Sequence, residues 1–379
     1  MSTLIPPLRF PEFSGEWKMC TIGELITKVG SGVTPRGGEA VYKTEGHPFV
    51  RSQNVGLGNL LLDDIAFIDE ETHLRQKNTE LQFNDVLLNI TGASIGRSAL
   101  VDKQIVGGNV NQHVCIIRTK ENLVPSFICS FLLSNYGQRQ IDSFQAGGNR
   151  QGLNFEQIKS IKITIPSKDE QIKIAKLLRA IDERIATQNK IIEKLQSLIK
   201  GLRVCCMQRN GSNNVYLSEI AQIYQPQTIS SAELTEDGFL VYGANGIIGK
   251  YKDYNHKTEQ ICITCRGNTC GMVNYTKPMS WITGNAMVIN TDKYQDKVYK
   301  KYLYHYLSAY NFNSIISGSG QPQIVRTPLE KLKITLPTIS EQKQKAMILD
   351  KVQDKIEINH NILNLYILQK QYLLRQMFI

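Results

Sequence analysis

The stretch Ile161-Lys-Ile-Thr-Ile-Pro166 occurs again, nearly unchanged, as Leu332-Lys-Ile-Thr-Leu-Pro337 in this chain of 379 residues. The match continues downstream, where Glu170-Gln171 corresponds to Glu341-Gln342 at the same spacing. Since only two copies exist, the pattern predicts a duplicated domain rather than a solenoid of many repeats.

Upstream of this stretch, the spacing between matching residues increases. It is slightly larger between Gly108-Asn109 and Gly284-Asn285, and larger still between Ile22–Leu25 and Leu217–Ile220. The first half therefore carries about twenty extra residues, an insertion that surface loops accept at little cost.

Each half begins with short apolar runs separated by turns rich in Gly and Asn. Phe83–Ile90 and Ile261–Cys265 are two such runs. This pattern is typical of strands with a few helices between them. Each half then ends in a predicted long helix, so the fold class is expected to be α+β.

The long helices are predicted from their start signals and from their apolar spacing. Ser167-x-x-Glu170 and Thr338-x-x-Glu341 both follow a proline and both fit a capping box. Apolar residues then recur every three or four positions, which is typical of a coiled coil. A helix of about 39 residues spans roughly 58 Å, enough to separate two globular domains. The first seam is Ile174, Leu178, Ile181, Ile185, Gln188, Ile192, Leu195, Ile199 and Leu202, and the second is Leu349, Val352, Ile356, Asn359, Leu363, Tyr366, Lys370 and Leu373.

Each seam contains one amide near its midpoint, Gln188 in the first and Asn359 in the second. If the helices pack antiparallel about a pseudo-twofold axis, the two amides meet and fix the register by hydrogen bonding. The alternative is that both amides are solvated.

Composition favours a polyanionic partner, because the formal net charge is +10 and the pI is about 9.1. The sequence has no apolar run long enough to cross a membrane. Its N-terminus lacks a basic stretch followed by an apolar stretch, so we expect a cytoplasmic protein. The eight cysteines are interpreted as reduced, mostly buried thiols.

Common catalytic motifs are absent from the sequence. Ala244–Tyr251 departs twice from a phosphate-binding loop, and Pro6-Pro7 does not fit an adenine methyltransferase motif. Cys262, Cys265 and Cys270 suggest either a metal or redox site or buried thiols on a strand, and the strand interpretation is favoured. We therefore expect no catalytic residues and no metal site in this chain.

A series of short motifs appears in the same order in both halves. As a set, they resemble the DNA specificity subunits of type I restriction–modification systems, and the resemblance covers nearly the whole chain. The first series is Trp17, Ile22–Leu25, Ser31–Pro35, Thr91–Gly96 and Gly107–Asn111, and the second is Phe239–Gly249, Arg266–Gly271 and Trp281–Asn285.

The resemblance implies two α/β target-recognition domains, residues 1–165 and 208–336, separated by two long antiparallel coiled-coil helices, residues 166–207 and 337–379. Each domain would read one half of a split double-stranded DNA target. The helices would space the two domains and dock two methyltransferase subunits. Motor-nuclease subunits would complete an ATP-dependent restriction enzyme, and no membrane is involved. S-adenosylmethionine, ATP and Mg²⁺ would be bound by the partners, with no cofactor in this chain.

Gly- and Asn-rich loops suit DNA reading, because Asn and Gln pair with adenine, Arg pairs with guanine, and glycine lets the backbone approach phosphates. The alternative is ordinary turn chemistry. The candidate DNA-binding residues are Arg51, Gln53, Asn54, Arg97, Asn109, Asn111, Gln112, Asn149, Arg150, Tyr242, Asn245, Lys250, Arg266, Asn268, Asn285, Gln321 and Gln323.

Apolar positions on the long helices are the candidate docking residues for partner subunits. Two other functions stay open: a basic coiled-coil scaffold that binds DNA without sequence preference, and an enzyme whose site has no recognisable motif. The docking candidates are Ile174, Leu178, Ile181, Ile185, Ile192, Leu349, Val352, Ile356, Ile362 and Leu363.

Overall fold

Both halves of the chain contain helices and strands, which confirms the predicted α+β class. The chain forms two compact units, one of residues 1–189 and 362–379 and the other of residues 190–361. We call the residues up to 165 the first head and residues 213–336 the second head. This computed structural model describes residues 4–145, 152–207, 213–318 and 320–379.

The first half contains nine strands and six α-helices among the described residues, and the sixth α-helix is the long one. The strands are β1 (Lys18–Thr21), β2 (Ile26–Ser31), β3 (His47–Val50), β4 (Ala66–Ile68), β5 (Val86–Asn89), β6 (Ser98–Leu100), β7 (Asn109–Val110), β8 (Val114–Thr119) and β9 (Lys162–Ile165). The helices are α1 (Ile22–Leu25), α2 (Glu70–Arg75), α3 (Pro125–Leu133), α4 (Asn135–Ser143), α5 (Phe155–Ser160) and α6 (Lys168–Met207).

The second half contains another nine strands and three α-helices among the described residues. The strands are β10 (Asn213–Tyr216), β11 (Gln222–Tyr224), β12 (Phe239–Gly243), β13 (Gly246–Tyr251), β14 (Ile261–Thr264), β15 (Val273–Tyr275), β16 (Trp281–Ile282), β17 (Ala286–Asn290) and β18 (Lys333–Leu336). The helices are α7 (Lys300–Ala309), α8 (Arg326–Glu330) and α9 (Ile339–Gln376).

The two heads share one sheet topology. A four-stranded sheet has the order β2-β8-β5-β6 in the first head and β11-β17-β14-β15 in the second. A three-stranded sheet has the order β4-β3-β7 or β13-β12-β16, and its middle strand pairs antiparallel with one neighbour and parallel with the other. A two-stranded sheet, β1-β9 or β10-β18, completes each head. Three sheets with matching strand orders confirm the duplication that the sequence predicted.

Equivalent backbone hydrogen bonds show which residues correspond between the heads. The amide of Ile22 donates to the carbonyl of Ile161 at 2.9 Å, and that of Leu217 donates to Leu332 at 2.8 Å. The structure therefore confirms two sequence matches, that of Ile22 with Leu217 and that of Ile161 with Leu332.

The match of Gly108-Asn109 with Gly284-Asn285 is wrong in register. The amide of Ile90 donates to the carbonyl of His113, and the equivalent amide of Cys265 donates to that of Asn285. Asn285 therefore corresponds to His113 and not to Asn109. The short Gly-Asn motif misleads because it occurs at a different position of the loop in each head.

Most of the extra length in the first head lies between β3 and β4. The chain needs residues 51–65 to connect β3 to β4, whereas residues 244–245 alone connect β12 to β13. The expected insertion is therefore largely a longer hairpin loop, which we call the β3–β4 loop.

Aromatic side chains fill the core of the first unit. Trp17 packs edge-on against Phe127 at 6.1 Å between ring centroids, and Phe127 contacts Phe378 at 5.2 Å. All three are almost fully buried, and burial of each large apolar side chain contributes about 2–3 kcal/mol. The core thus includes both the head and the last residues after α9, together with Ile174, Leu178 and Ile181 of α6.

Aliphatic residues of the four-stranded sheet form the core of the second unit. Ile223, Ile263 and Ile289 are at most 1% exposed and pack with Leu303 of α7. A second cluster joins Ile199 of α6 to Leu349 and Ile356 of α9, with Leu195, Leu202 and Val352 around it.

The two long helices run antiparallel within each unit. In the first unit, Asp182 pairs with Lys370, while Arg184, farther along α6, contacts Tyr366, which is earlier in α9. In the second unit, Lys345 near the start of α9 donates to the carbonyl of Cys206 near the end of α6. Gln188 and Asn359 are both buried, at 7% and 9% exposure, and their pairing stays a prediction.

Only one of the two predicted capping boxes forms completely. Thr338 and Glu341 exchange both backbone-to-side-chain hydrogen bonds, at 3.0 and 3.3 Å. At the start of α6, Ser167 accepts from the amide of Glu170, but the carboxylate of Glu170 accepts two hydrogen bonds from Arg9, at 2.7 and 2.8 Å. The first box is therefore half formed, because the charged guanidinium is the stronger donor for a buried carboxylate.

The glutamine after each glutamate fastens the long helix to its own head. The side chain of Gln171 accepts from the amide of Val124 at 2.9 Å and donates to the carbonyls of Asn122 and Pro166, both at 3.1 Å. Gln342 makes the same three hydrogen bonds with Tyr299, Lys297 and Pro337.

Among the described residues, no helix combines the length and apolar composition needed to cross a membrane.

Candidate DNA interface

Three loops of the first head meet beside β5 and carry several candidate side chains. The side-chain oxygen of Gln112 accepts from the amide of Thr34 at 2.9 Å, and its nitrogen lies 3.0 Å from Nε2 of His113. Nδ1 of His113 is in turn 2.6 Å from the hydroxyl of Thr91. Arg97 and Gln112 are exposed at this surface.

The β3–β4 loop carries a second group of candidates, which converge on one carboxylate. Asp64 accepts hydrogen bonds from Arg51 at 3.3 Å, from Asn54 at 2.8 Å and from Gln53. Arg51 also donates to the backbone carbonyl of Asp64 at 2.6 Å and lies over the ring of Tyr42. Gln53 is exposed and Arg51 is half-buried.

Three candidates of the first head lie inside it. Asn54 and Asn109 are fully buried, and Asn111 is 6% exposed. Asn54 also donates to the carbonyl of Leu61, and Asn109 bonds to Nδ1 of His73 and to the carbonyl of Gln76. Asn111 accepts from the amide of His113. The hydrogen bonds of these buried side chains therefore go to groups of the head itself, and their role in reading bases stays a prediction.

Two further candidates of the first head, Asn149 and Arg150, lie outside the described residues. Their role in DNA binding stays a prediction.

A pair of stacked histidines lies beside β7, the strand that begins at Asn109. The rings of His47 and His73 are 3.8 Å apart and nearly parallel. His47 also lies 2.6 Å from a carboxylate oxygen of Glu70, and this hydrogen bond lowers the pKa of Glu70. The cluster ties α2 to the residues before β7.

Four loops of the second head meet at the equivalent place. Arg266 pairs with Gln323 in an isolated bridge, and the amide of Gly267 donates to the carbonyl of Pro322. The backbone carbonyl of Asn285 accepts from the amide of Cys265 at 3.1 Å, and the hydroxyl of Thr269 donates to the side chain of Asn245. The structure therefore brings together candidates as distant in sequence as Asn245 and Gln323.

Most candidates of the second head are exposed. Tyr242 is buried: it is 6% exposed, its hydroxyl accepts from the amide of Lys277, and burial raises its pKa. Lys250 is half-exposed and lies 3.5 Å from Asp237. The exposed candidates are Asn245, Arg266, Asn268, Asn285, Gln321 and Gln323.

Equivalent bonding in the two heads identifies residues that sequence reasoning missed. Thr91 bridges to Gly152 as Arg266 bridges to Gln323. The glycines that follow Thr91 and Arg266 both have positive φ, +70° and +85°, which a side chain rarely adopts. Thr91 therefore occupies the position of Arg266, and His113 that of Asn285. Aligning Thr91–Gly96 with Arg266–Gly271 would have found the first of these.

The predicted docking residues divide by exposure. Six of the ten are buried and pack within the chain: Ile174, Leu178, Ile181, Ile192, Leu349 and Ile356. The other four, Ile185, Val352, Ile362 and Leu363, are half-buried. Other apolar side chains of α9, outside the seam, are more exposed than these ten, namely Met347, Ile348, Ile358, Leu365, Ile367, Leu368 and Tyr372.

The cysteine motif lies on and after a buried strand. Cys262 and Cys265 are 1% exposed, and burial raises the pKa of Cys262. The sulfur of Cys265 contacts the side chain of Gln225 and the carbonyl of Asn285. Among the described residues, no three His, Cys, Asp or Glu side chains are arranged to hold a metal ion.

Comparison with known proteins identifies one family in both halves. The family described as type I restriction modification DNA specificity domain matches residues 14–197 and 210–365. The type I restriction enzyme MjaVIII specificity subunit of Methanocaldococcus jannaschii is 25% identical, over 93% of this chain and 88% of the relative. The type I restriction enzyme EcoprrI specificity subunit of Escherichia coli is 32% identical, over 36% of this chain and 34% of the relative.

One solved structure supports the same fold. The S subunit of a type I restriction-modification system from M. genitalium aligns over 99% of each chain, with a TM-score of 0.67 and 17% sequence identity.

Proposed function

Because the chain belongs to the family of type I restriction–modification DNA specificity subunits, we propose that each of its two heads reads one half of a bipartite DNA target. The long helices then space the two half-sites and dock two methyltransferase subunits, and motor-nuclease subunits join that complex. Catalysis resides in those partners, since the chain is a specificity subunit.

The observation that carries this proposal is the repeated loop surface. Both heads build the same sheets, and both display polar side chains on the loops after β5 or β14 and before β8 or β17. Arg97 and Gln112 are exposed in the first head, and Arg266, Asn268 and Asn285 are exposed in the second. Equivalent surfaces with different side chains suit a protein that reads two different short sequences.

The exposed residue types have the right chemistry for reading bases. A guanidinium such as that of Arg266 can donate two hydrogen bonds to guanine, and Asn or Gln can pair with adenine. Phosphate contacts require positive charge without base preference, which the net charge of +10 provides. Lys250 suits that role, since it is half-exposed on β13.

Exposed apolar residues of α9 support the docking part of the proposal. Leu365 and Leu368 are 65% and 59% exposed, and Tyr372 is 50% exposed. Adjacent exposed apolar side chains usually mark a surface that another protein covers. The docking face is therefore this outer face of α9 rather than the buried seam.

The test is selection of duplexes from a random library by the chain in complex with its methyltransferase. We expect two conserved blocks of bases separated by a spacer of fixed length. Asn245→Ala and Arg266→Ala should weaken one block by roughly 1–3 kcal/mol per lost base contact and leave the other unchanged. The matched control is Lys293→Ala, which removes one exposed positive charge of the same head, beyond the opposite end of β17.

A single block, or no block, would overturn the bipartite proposal. Binding that depends on salt but selects no sequence would instead favour the non-specific scaffold.

A further inference from the structure

The β3–β4 loop distinguishes the first head from the second, and it contains Arg51 and Gln53. The equivalent hairpin of the second head turns within residues 244–245. A long hairpin loop has many conformations, so any loop that presents side chains to DNA with fixed geometry must be held by other contacts.

Asp64 holds the two ends of the loop together. Its carboxylate accepts from Asn54 at 2.8 Å and from Arg51 at 3.3 Å, and it also bonds to Gln53. Within the loop, Val55 and Leu60 form an isolated bridge. These contacts fix the loop internally but do not attach its tip to the rest of the unit.

The tip of the loop is attached to the two long helices. The ammonium group of Lys370 on α9 donates to the carbonyl of Leu57 at 3.0 Å and lies 2.6 Å from a carboxylate oxygen of Asp182 on α6. The amide of Gly58 donates to the carbonyl of Ser98 at 2.9 Å.

Gly58 allows this close approach. Its φ is +99°, and a Cβ atom there would lie 3.1 Å from the nitrogen of Lys370 and 3.4 Å from a carboxylate oxygen of Asp182. A side chain at this position would be strained and would push the tip away from the ion pair.

The ion pair is partly shielded from water. The side chain of Lys370 is 14% exposed and that of Asp182 is 33% exposed. Burial raises the pKa of Asp182, and the charge of Lys370 opposes this shift. Removing one partner therefore leaves a half-buried charge without compensation, which is more disruptive than the loss of a surface pair.

The equivalent positions of the second unit do not carry this ion pair. The residues that the duplication aligns with Asp182 and Lys370 are Gln353 and Ile199. Ile199 is 5% exposed and packs against Leu349 and Ile356. At these positions, the unit with the long β3–β4 loop has an ion pair, and the unit with the short hairpin has Gln353 and Ile199 instead.

We propose that Asp182 and Lys370 are positioning residues that determine specificity at one half-site. They hold the tip of the β3–β4 loop on the long helices, so that Arg51 and Gln53 meet the DNA in one fixed orientation. The inference rests on the proposed function, since it assumes that the first head reads a half-site. Residues that contact no base then set how sharply that half-site is discriminated.

The experiment uses the same duplex selection, with the chain in complex with its methyltransferase. Lys370→Met should lower discrimination in the block read by the first head about tenfold, the order of one lost base contact, and leave the other block unchanged. Gly58→Ala should do the same from the loop side of the contact, and Lys370→Arg should restore most of the discrimination. The block of the second head is identified beforehand as the one that Arg266→Ala weakens.

Two controls separate this role from loss of charge or of glycine. Arg179→Met removes a positive charge from an exposed pair with Glu183 on α6, and Gly15→Ala replaces a glycine of positive φ with nothing within 4 Å of its Cβ position. Both should leave both blocks unchanged.

If wild-type protein selects no bipartite target, the proposed function fails, and this inference fails with it. If wild-type protein selects two blocks but Lys370→Met and Gly58→Ala leave both intact or weaken both equally, only the positioning role is overturned. Should Lys370→Met not fold, Gly58→Ala decides the question alone.

Discussion

The glutamine at the start of each long helix offers the sharpest test of how the heads are fixed. Gln171 and Gln342 are each 1% exposed, and each makes three hydrogen bonds to backbone groups. Replacing Gln342 by Leu keeps a similar volume but leaves the amide of Tyr299 and two carbonyls without these partners.

The magnitude follows from those three groups. An unsatisfied buried amide costs about 1–3 kcal/mol, and carbonyls at the edge of the core cost less. We expect Gln342→Leu to reduce the free energy of unfolding of the second unit by about 2 kcal/mol, which is an increase of roughly thirtyfold in the opening equilibrium. Gln171→Leu should have the same effect on the first unit through the amide of Val124.

Hydrogen exchange followed by mass spectrometry measures this effect in each unit. Faster exchange is expected in the peptide that contains Tyr299 for Gln342→Leu, and in the peptide that contains Val124 for Gln171→Leu. The matched control is Gln344→Leu, an exposed position on the same helix, where the change should stay within about 0.5 kcal/mol. If Gln342→Leu and Gln344→Leu exchange alike, the glutamine does not fasten the helix to the head.

Three other predictions concern stability and docking. Arg118→Met should lower the stability of the first unit by about 3 kcal/mol in denaturant unfolding, because it leaves Asp85, which is 1% exposed, without its bidentate partner at 2.7 Å. His305 is fully buried between Arg203 and Asp350, and burial lowers its pKa. The neutral form of His305 therefore contributes fully to stability above a pH of about 6.5, and this contribution is lost as the pH falls through the lowered pKa. With His305→Gln, the midpoint of unfolding should therefore fall less steeply as the pH is lowered over that range. Leu365→Asp should abolish co-purification with the methyltransferase, because it places a charge on the exposed apolar face of α9.

Each of these predictions has a control and a contradicting result. Arg179→Met, in an exposed pair, should cost less than about 0.5 kcal/mol, and an equal cost for Arg118→Met would refute the buried-pair argument. If the unfolding midpoint of His305→Gln falls with decreasing pH as steeply as that of the wild type, other groups cause the loss of stability in acid. Asn364→Asp adds the same charge at an exposed position of α9 that is already polar, so it should not affect co-purification. If Leu365→Asp co-purifies normally with the methyltransferase, the outer face of α9 is not the docking surface.

Some features of this protein are properties of local pattern, and the sequence alone was sufficient for them. The duplication, the positions of the two long helices and the glutamines that follow Ile161–Pro166 and Leu332–Pro337 are all visible as repeated short motifs. Helical periodicity depends on neighbours three and four residues away, so no tertiary contact is needed to recognise it.

The candidate site could be predicted only in part. The sequence identified the loops that carry polar side chains, since Gly and Asn cluster there. It could not separate Asn109, which bonds to His73 inside the head, from Asn285, which is exposed. The burial of an amide depends on residues far along the chain, and the Gly-Asn motif lies four positions out of register between the two heads.

Tertiary structure alone decided the contacts between distant residues. The partner of Glu170 is Arg9, 161 residues away, and the tip of the β3–β4 loop is held by Lys370, 313 residues from Leu57. A capping motif or a surface lysine carries no local sign of such a partner. The sequence therefore determined which elements form and that they form twice. The folded chain determined which side chains are used for its own packing and which remain exposed, because a hydrogen bond or ion pair depends on proximity in space.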